Sequence, residues 1–171
     1  MPITIMSMDE AIKLCYKFDY IISITDPRQR LPSFGEHNHL HVSFVDTNHP
    51  SEKEYMQMQR GVRAIFSWVR EKKLTGEENI LVHCHAGISR SAAIAWALSV
   101  LFGEGDYMEA FCKLQRERDI IWPNTQVMLF ADNILRLDMA LYRVAAKVDT
   151  LINENQKRGW WGKPEGLLEN V

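Results

Sequence analysis

The stretch Asn79-Ile80-Leu81-Val82-His83-Cys84-His85-Ala86-Gly87-Ile88-Ser89-Arg90-Ser91 decides the reading of this chain. It opens as a short apolar run, the pattern of a strand buried on both faces within a parallel sheet. It closes on an alanine-rich segment, Ser91 to Phe102, with Ile94, Leu98 and Leu101 at helical spacing. The loop between them holds a glycine and an arginine. Backbone N–H groups that converge ahead of a helix form an anion site, and the helix dipole adds positive potential there. Gly87 permits a backbone conformation that a side chain resists. Arg90, at the helix start, can bind two oxygens of a phosphate at once. Cys84 lies at the strand end, at the base of this cradle. The field that attracts an anion also stabilises a thiolate: a free thiol titrates near ~8.5, and helix N-termini with nearby cations lower that to roughly 3.5–7.5. The Ser91 hydroxyl is positioned to donate to the sulfur, and His83 to orient the loop by hydrogen bonding.

Outward from this loop, strands and helices alternate. Ser7 and Glu10 form a capping box ahead of a short helix to about Tyr16, and Ser51 and Glu54 form another. The second helix carries Tyr55, Met58, Val62, Ile65 or Phe66, and Val69 at helical spacing, and should end between Lys73 and Gly76. Tyr20 to Thr25 reads as a strand that stops at the turn signal Asp26-Pro27, and His39 to Val45 as another. Asp106 caps a further helix, Tyr107 to about Arg116, and Pro123-Asn124 starts a last, long one. The fold class expected is α/β: a central, mainly parallel sheet flanked by helices, with ligands beyond the carboxyl ends of its strands.

Bulk properties narrow the function. The 171 residues favour one domain, and a formal charge of −2 gives no global attraction to nucleic acid or anionic membrane. Three widely spaced cysteines, Cys15, Cys84 and Cys112, do not make a disulfide framework and suit a reducing compartment. The N-terminal residues do not read as a secretory signal, and no stretch reaches the ~18 apolar residues of a membrane span. A cytoplasmic location is expected, with neither nucleic acid nor membrane as partner.

His-Cys, five residues, then Arg-Ser resembles the signature of the cysteine-based protein tyrosine phosphatases, and Ala-Gly-x-Ser-Arg-Ser is closest to their dual-specificity branch. Asp119 to Asn124 is similar to that branch's stretch ending in Pro-Asn, and Asp46 matches its general-acid aspartate in context. The likeness spans about residues 10 to 145. It implies Cys84 as nucleophile, Arg90 as phosphate clamp, Asp46 as acid then base, and Ser91 as helper of the leaving thiolate. It further implies phosphate binding by the loop from His85 through Ala86, Gly87, Ile88 and Ser89 to Arg90, with His83 and Asn124 in support. The substrate implied is a phosphotyrosine protein, with phosphoserine and phosphothreonine as extensions. Neither metal nor cofactor is implied, because the cradle supplies the positive charge.

Alternatives stand beside this reading. The same loop serves phosphoinositide and RNA 5′-triphosphate hydrolysis in relatives that carry lysines, or an asparagine and threonine, around the arginine; this loop has His85, Ile88 and Ser89 instead. A non-catalytic phosphate-binding module usually loses the cysteine or the arginine. Sulfur transfer or arsenate reduction generally needs extra cysteines near the loop. Asp26 rivals Asp46 as the acid, but it precedes proline and reads as a turn residue. His37, His39 and His41 alternate on one strand face, expected to be solvated. His85 has no Cys-x-x-Cys partner, so a metal centre is not expected. The last helix, from Val127 through Phe130, Ile134, Leu137, Leu141, Val144 and Val148 to Leu151, outruns the usual domain. Residues 1–145 are therefore read as the catalytic domain and 146–171 as a helical extension and tail. The helix is expected to pack on the protein's own surface, with a homodimer as the alternative. Trp160-Trp161 in the tail calls for a covering surface.

Overall fold

A computed structural model of the chain describes residues 3–35, 38–103 and 106–157. Four parallel strands stand in the order β1 (Ile3–Met6), β4 (Ile80–His83), β2 (Tyr20–Thr25) and β3 (Asn38–Ser43). β4, the strand of the deciding loop, lies inside the sheet, its Ile80 in register with both Ile3 and Tyr20. All four of its residues are buried, as the unbroken apolar run requires.

Among the described residues, six α-helices cover the sheet unequally. One face carries α1 (Met8–Leu14), where Met8 and Ala11 pack with Ile21, Phe34 and Leu81. The other carries α2 (Glu52–Glu71), α3 (Arg90–Leu101), α4 (Tyr107–Glu117), α5 (Thr125–Leu135) and α6 (Ala140–Lys157) around one large core. Because successive strand residues face opposite ways, Ile80, Val82 and Cys84 join the large core while Leu81 joins the small one. His83 thereby faces away from the helical layer that Cys84 enters. Both predicted capping boxes form, with the serine hydroxyl accepting the third helical amide and the glutamate accepting the serine's own.

Three expectations need correction. β1 was not anticipated: its four residues pair with β4, 77 positions further along the chain, and no turn signal marks them. The predicted single face of α3 understates its burial, since every residue from Arg90 to Ser99 is inside. The long last helix is two helices. Arg136 takes the left-handed conformation, Asp138 and Met139 also have positive φ, and the buried Asp132 carboxylate accepts the amides of Met139 (2.8 Å) and Tyr142 (3.1 Å). That carboxylate supplies the N-terminal cap of α6, so the chain reverses where the heptad pattern alone would continue. Leu141, Ala145 and Val148 are buried, and α6 packs on the protein's own body. The tryptophan pair at 160–161 lies outside the described residues.

Candidate active site

β4 delivers Cys84 into the start of the loop, where its side chain is 1% exposed. Around the loop, main-chain carbonyls are pulled outward by named donors. Met8 N–H donates to the carbonyl of His85 (3.0 Å), Arg118 Nη2 to Ala86 (3.1 Å), Trp122 N–H to Ile88 (2.8 Å) and Ala93 N–H to Ser89 (3.0 Å). In a trans peptide the N–H points opposite to the C=O. Pinning these carbonyls outward therefore turns the following amides, those of Ala86, Gly87, Ser89 and Arg90, toward the concave side. Gly87 has φ +71°, and a Cβ there would lie 2.5 Å from the Met6 carbonyl carbon. The loop is thus seated against the end of β1, and only glycine fits.

The Cys84 sulfur meets two of these groups directly. Ser91 Oγ lies 3.2 Å away and the Gly87 amide donates to the sulfur at 3.3 Å. Burial pushes the Cys84 thiol up, but the bonds from the Ser91 hydroxyl and amide, the Gly87 amide and the Arg90 charge outweigh it and hold the thiol below its ordinary value.

Arg90, 3% exposed, is aimed by three acceptors. Nη1 donates to the Phe44 carbonyl (2.7 Å), and Nη1 and Nη2 fork onto the two carboxylate oxygens of Asp26 (3.1 and 3.2 Å). Nε is buried without a hydrogen-bond partner, at 3.5 Å from Asp46 Oδ2. On the edge of the guanidinium that can grip phosphate side-on, the Nε–H is therefore left without a hydrogen bond. This revises the reading of Asp26. It does turn the chain, accepting Gln29 N–H at 3.1 Å, but it also anchors Arg90. No local spacing signals a partnership between residues 64 positions apart.

Asp46 is fixed from the opposite side. Its Oδ1 accepts from Ser89 Oγ (2.7 Å) and from Asn124 Nδ2 (2.9 Å). Asn124 also caps α5, accepting Val127 N–H at 2.9 Å. Asp46, Asn48, Ile88, Ser89, Trp122 and Asn124 line a groove of about 210 Å³ beside the loop. His85 and Ala86 are exposed, and Ile88 is half-buried.

Behind the loop runs a polar chain the sequence did not announce. His83 Nε2 lies 2.6 Å from Ser23 Oγ, Ser23 Oγ lies 2.7 Å from His39 Nε2, and His83 Nδ1 faces the Cys84 carbonyl at 3.4 Å. Burial pushes His83 down to about 4, so it is neutral near pH 7. A carbonyl only accepts, so the proton sits on Nδ1 and Nε2 must accept from Ser23. Ser23, having one proton, then accepts from His39. The direction of every bond is thereby fixed. His41 likewise reaches Thr25 Oγ1 at 2.7 Å. On the histidine face expected to be solvated, His41 is exposed and His39 half-buried, and both are tied by hydroxyls to the neighbouring strand; His37 lies outside the described residues. Cys15 and Cys112 are free thiols. No cluster of three metal-ligating side chains occurs among the described residues.

A thiol, a guanidinium and a ring of inward amides converge between a parallel strand and a helix, an arrangement suited to holding an anion beside a cysteine. Residues 5–132 match the dual specificity phosphatase catalytic domain, and the chain belongs to that family. It is similar to a probable dual specificity protein phosphatase of Dictyostelium discoideum, at 33% identity over 54% of this chain and 49% of that one, so it spans about half the length of this curated relative. Its fold is that of human DUSP28 (TM-score 0.56, 18% identity, covering 80% of this chain and 95% of that one). A mouse putative dual specificity phosphatase, solved as a zinc tungstate complex, is alike in fold (TM-score 0.55, 20% identity, 81% and 85% covered). No described helix is long and apolar enough to cross a membrane.

Proposed function

We propose that the chain hydrolyses phosphotyrosine in proteins, with phosphoserine and phosphothreonine as further substrates, through a phosphocysteine at Cys84. The observation that carries this reading is the pairing of a thiol held below its ordinary value with a buried Arg90 Nε that has no hydrogen-bond partner, at the edge of the same cradle. The phosphate takes Arg90 Nε and the inward amides. The Cys84 thiolate attacks phosphorus, forming an S–P bond as the P–O bond to the substrate breaks, and the departing oxygen takes its proton from Asp46. Asp46, bonded to Ser89 and Asn124, borders both the cradle and the groove, which suits a group that serves a leaving oxygen there. Water then attacks phosphorus and gives a proton to the Asp46 carboxylate. The S–P bond breaks, and the returning thiolate is met by the Ser91 hydroxyl.

The test is hydrolysis of an aryl phosphate by the purified chain, with the phosphoenzyme trapped by acid quench. Cys84→Ser should abolish both turnover and trapped label. Turnover that survives Cys84→Ser refutes the assignment.

A further inference from the structure

Trp122 is held from outside the stretch that matches the family. Its indole Nε1–H donates to Asp149 Oδ1 at 2.6 Å, and Asp149 belongs to α6, beyond residue 132. The α5–α6 reversal makes this contact. Asp149 stands ten residues past Met139, about 15 Å along a helix, which brings it back level with the start of α5. Leu141, Ala145 and Val148 anchor α6 in the core, so the carboxylate is presented by a rigid element. A short bond from N–H to carboxylate is charge-assisted and directional, and it sets the ring's plane. Asn153 Nδ2, at 3.3 Å, occupies the second Asp149 oxygen.

That ring is a wall of the groove beside the loop. Asp46 and Ser89 border the groove on its catalytic side, and Ile88 and Trp122 give it apolar surface. A leaving oxygen must come within hydrogen-bond reach of its acid. With Asp46 as that acid, the group carrying the oxygen extends along Ile88 and Trp122. We propose that this groove seats the aromatic ring of a phosphotyrosine side chain, and that Asp149 is a positioning residue that fixes the Trp122 indole against it. The inference rests on the phosphatase reading for the pose of the substrate. Aromatic packing on a fixed ring implies a preference for phosphotyrosine over phosphoserine of about two- to tenfold.

The test is binding, so that it stands apart from turnover. Calorimetry on the full chain carrying Cys84→Ser gives Kd for a phosphotyrosine peptide, its phosphoserine counterpart and tungstate. Adding Asp149→Ala should weaken the phosphotyrosine peptide by up to the whole of that preference, about three- to tenfold, with the phosphoserine peptide and tungstate within twofold. Asp149→Asn, which keeps an acceptor oxygen, should recover most of the loss. Trp122→Phe should reproduce Asp149→Ala, and the two together should cost no more than either. An unchanged phosphotyrosine Kd, or equal weakening of both peptides or of tungstate, overturns the proposal. Where Asp149→Ala lowers the helical circular dichroism, Trp122→Phe decides alone by the same criteria. Phosphotyrosine selectivity that is present in Cys84→Ser while the unaltered chain hydrolyses no aryl phosphate would sink the catalytic reading and leave the subsite standing.

Discussion

Replacing Asp26 with alanine removes both carboxylate bonds to Arg90 and leaves the guanidinium with the Phe44 carbonyl as its remaining neutral acceptor. Charge-assisted bonds are worth about 1.5–3 kcal/mol each when the site is dry. The Asp26 side chain is 47% exposed, so water screens the pair and partly replaces what is lost. The lower end of the range applies, about 1.5 kcal/mol for the fork, or roughly a tenfold loss in phosphate grip. The assay is kcat/KM on a series of aryl phosphates with leaving groups of graded acidity, together with the inhibition constant of tungstate. If Asp26 acts by aiming Arg90, both quantities worsen about tenfold and the loss is the same for every leaving group. If Asp26 were the proton donor, tungstate would bind normally and the loss would grow as the leaving group became more basic. That pattern refutes the assignment of Asp46. No change in either quantity would show that the Phe44 carbonyl suffices to hold Arg90.

Asp46→Ala should cut kcat about 10²- to 10³-fold on phenyl phosphate and much less on a nitrophenyl ester, with phosphate inhibition retained; a near-normal rate on both moves the acid elsewhere. Ser91→Ala removes the leading hydrogen bond that lowers the Cys84 thiol. The midpoint of its alkylation by iodoacetamide should therefore rise, and breakdown of the phosphocysteine should slow about tenfold and appear as a burst of alcohol product. An unshifted midpoint would count against the bond. His83, ordinarily near 6.5, lies near 4 in the fold. Between those values the unfolded chain binds a proton that the folded chain does not. Stability is full above about pH 6.5 and declines as pH falls toward 4, by about 3 kcal/mol in total. Thermal unfolding followed between pH 7.5 and 5 should show the decline, and His83→Asn should flatten it; equal slopes for both proteins would rule His83 out as its source.

What the sequence discloses here is what is encoded within one turn of chain. The loop from Cys84 to Ser91 is legible because each part of it answers to a neighbour: Gly87 to a backbone angle, Arg90 to a helix start, Ser91 to the sulfur. The capping boxes at Ser7 and Ser51 are legible for the same reason. Long-range partners are not. Asp26 looks like a turn because it is one, and its second role depends on β2 and β4 lying side by side. β1 is too short to show a period, and it is a strand because β4 offers it an edge. The His39–Ser23–His83 chain requires the register of three strands. The break between α5 and α6 contains no glycine or proline, so nothing in its composition interrupts the apolar heptads.

That break has a consequence for durability. Arg136, Asp138 and Met139 all hold positive φ without being glycine. Each left-handed residue costs about 1–2 kcal/mol, against 0.5–1 kcal/mol for the extra freedom glycine brings to the unfolded chain. Arg136 is exposed and stands at the end of a helix, where glycine is the usual occupant. Arg136→Gly should therefore raise the melting temperature by about 2 °C in a chain of this size. The reversal that returns α6 to the groove is thus a place to gain heat tolerance without approaching the thiolate.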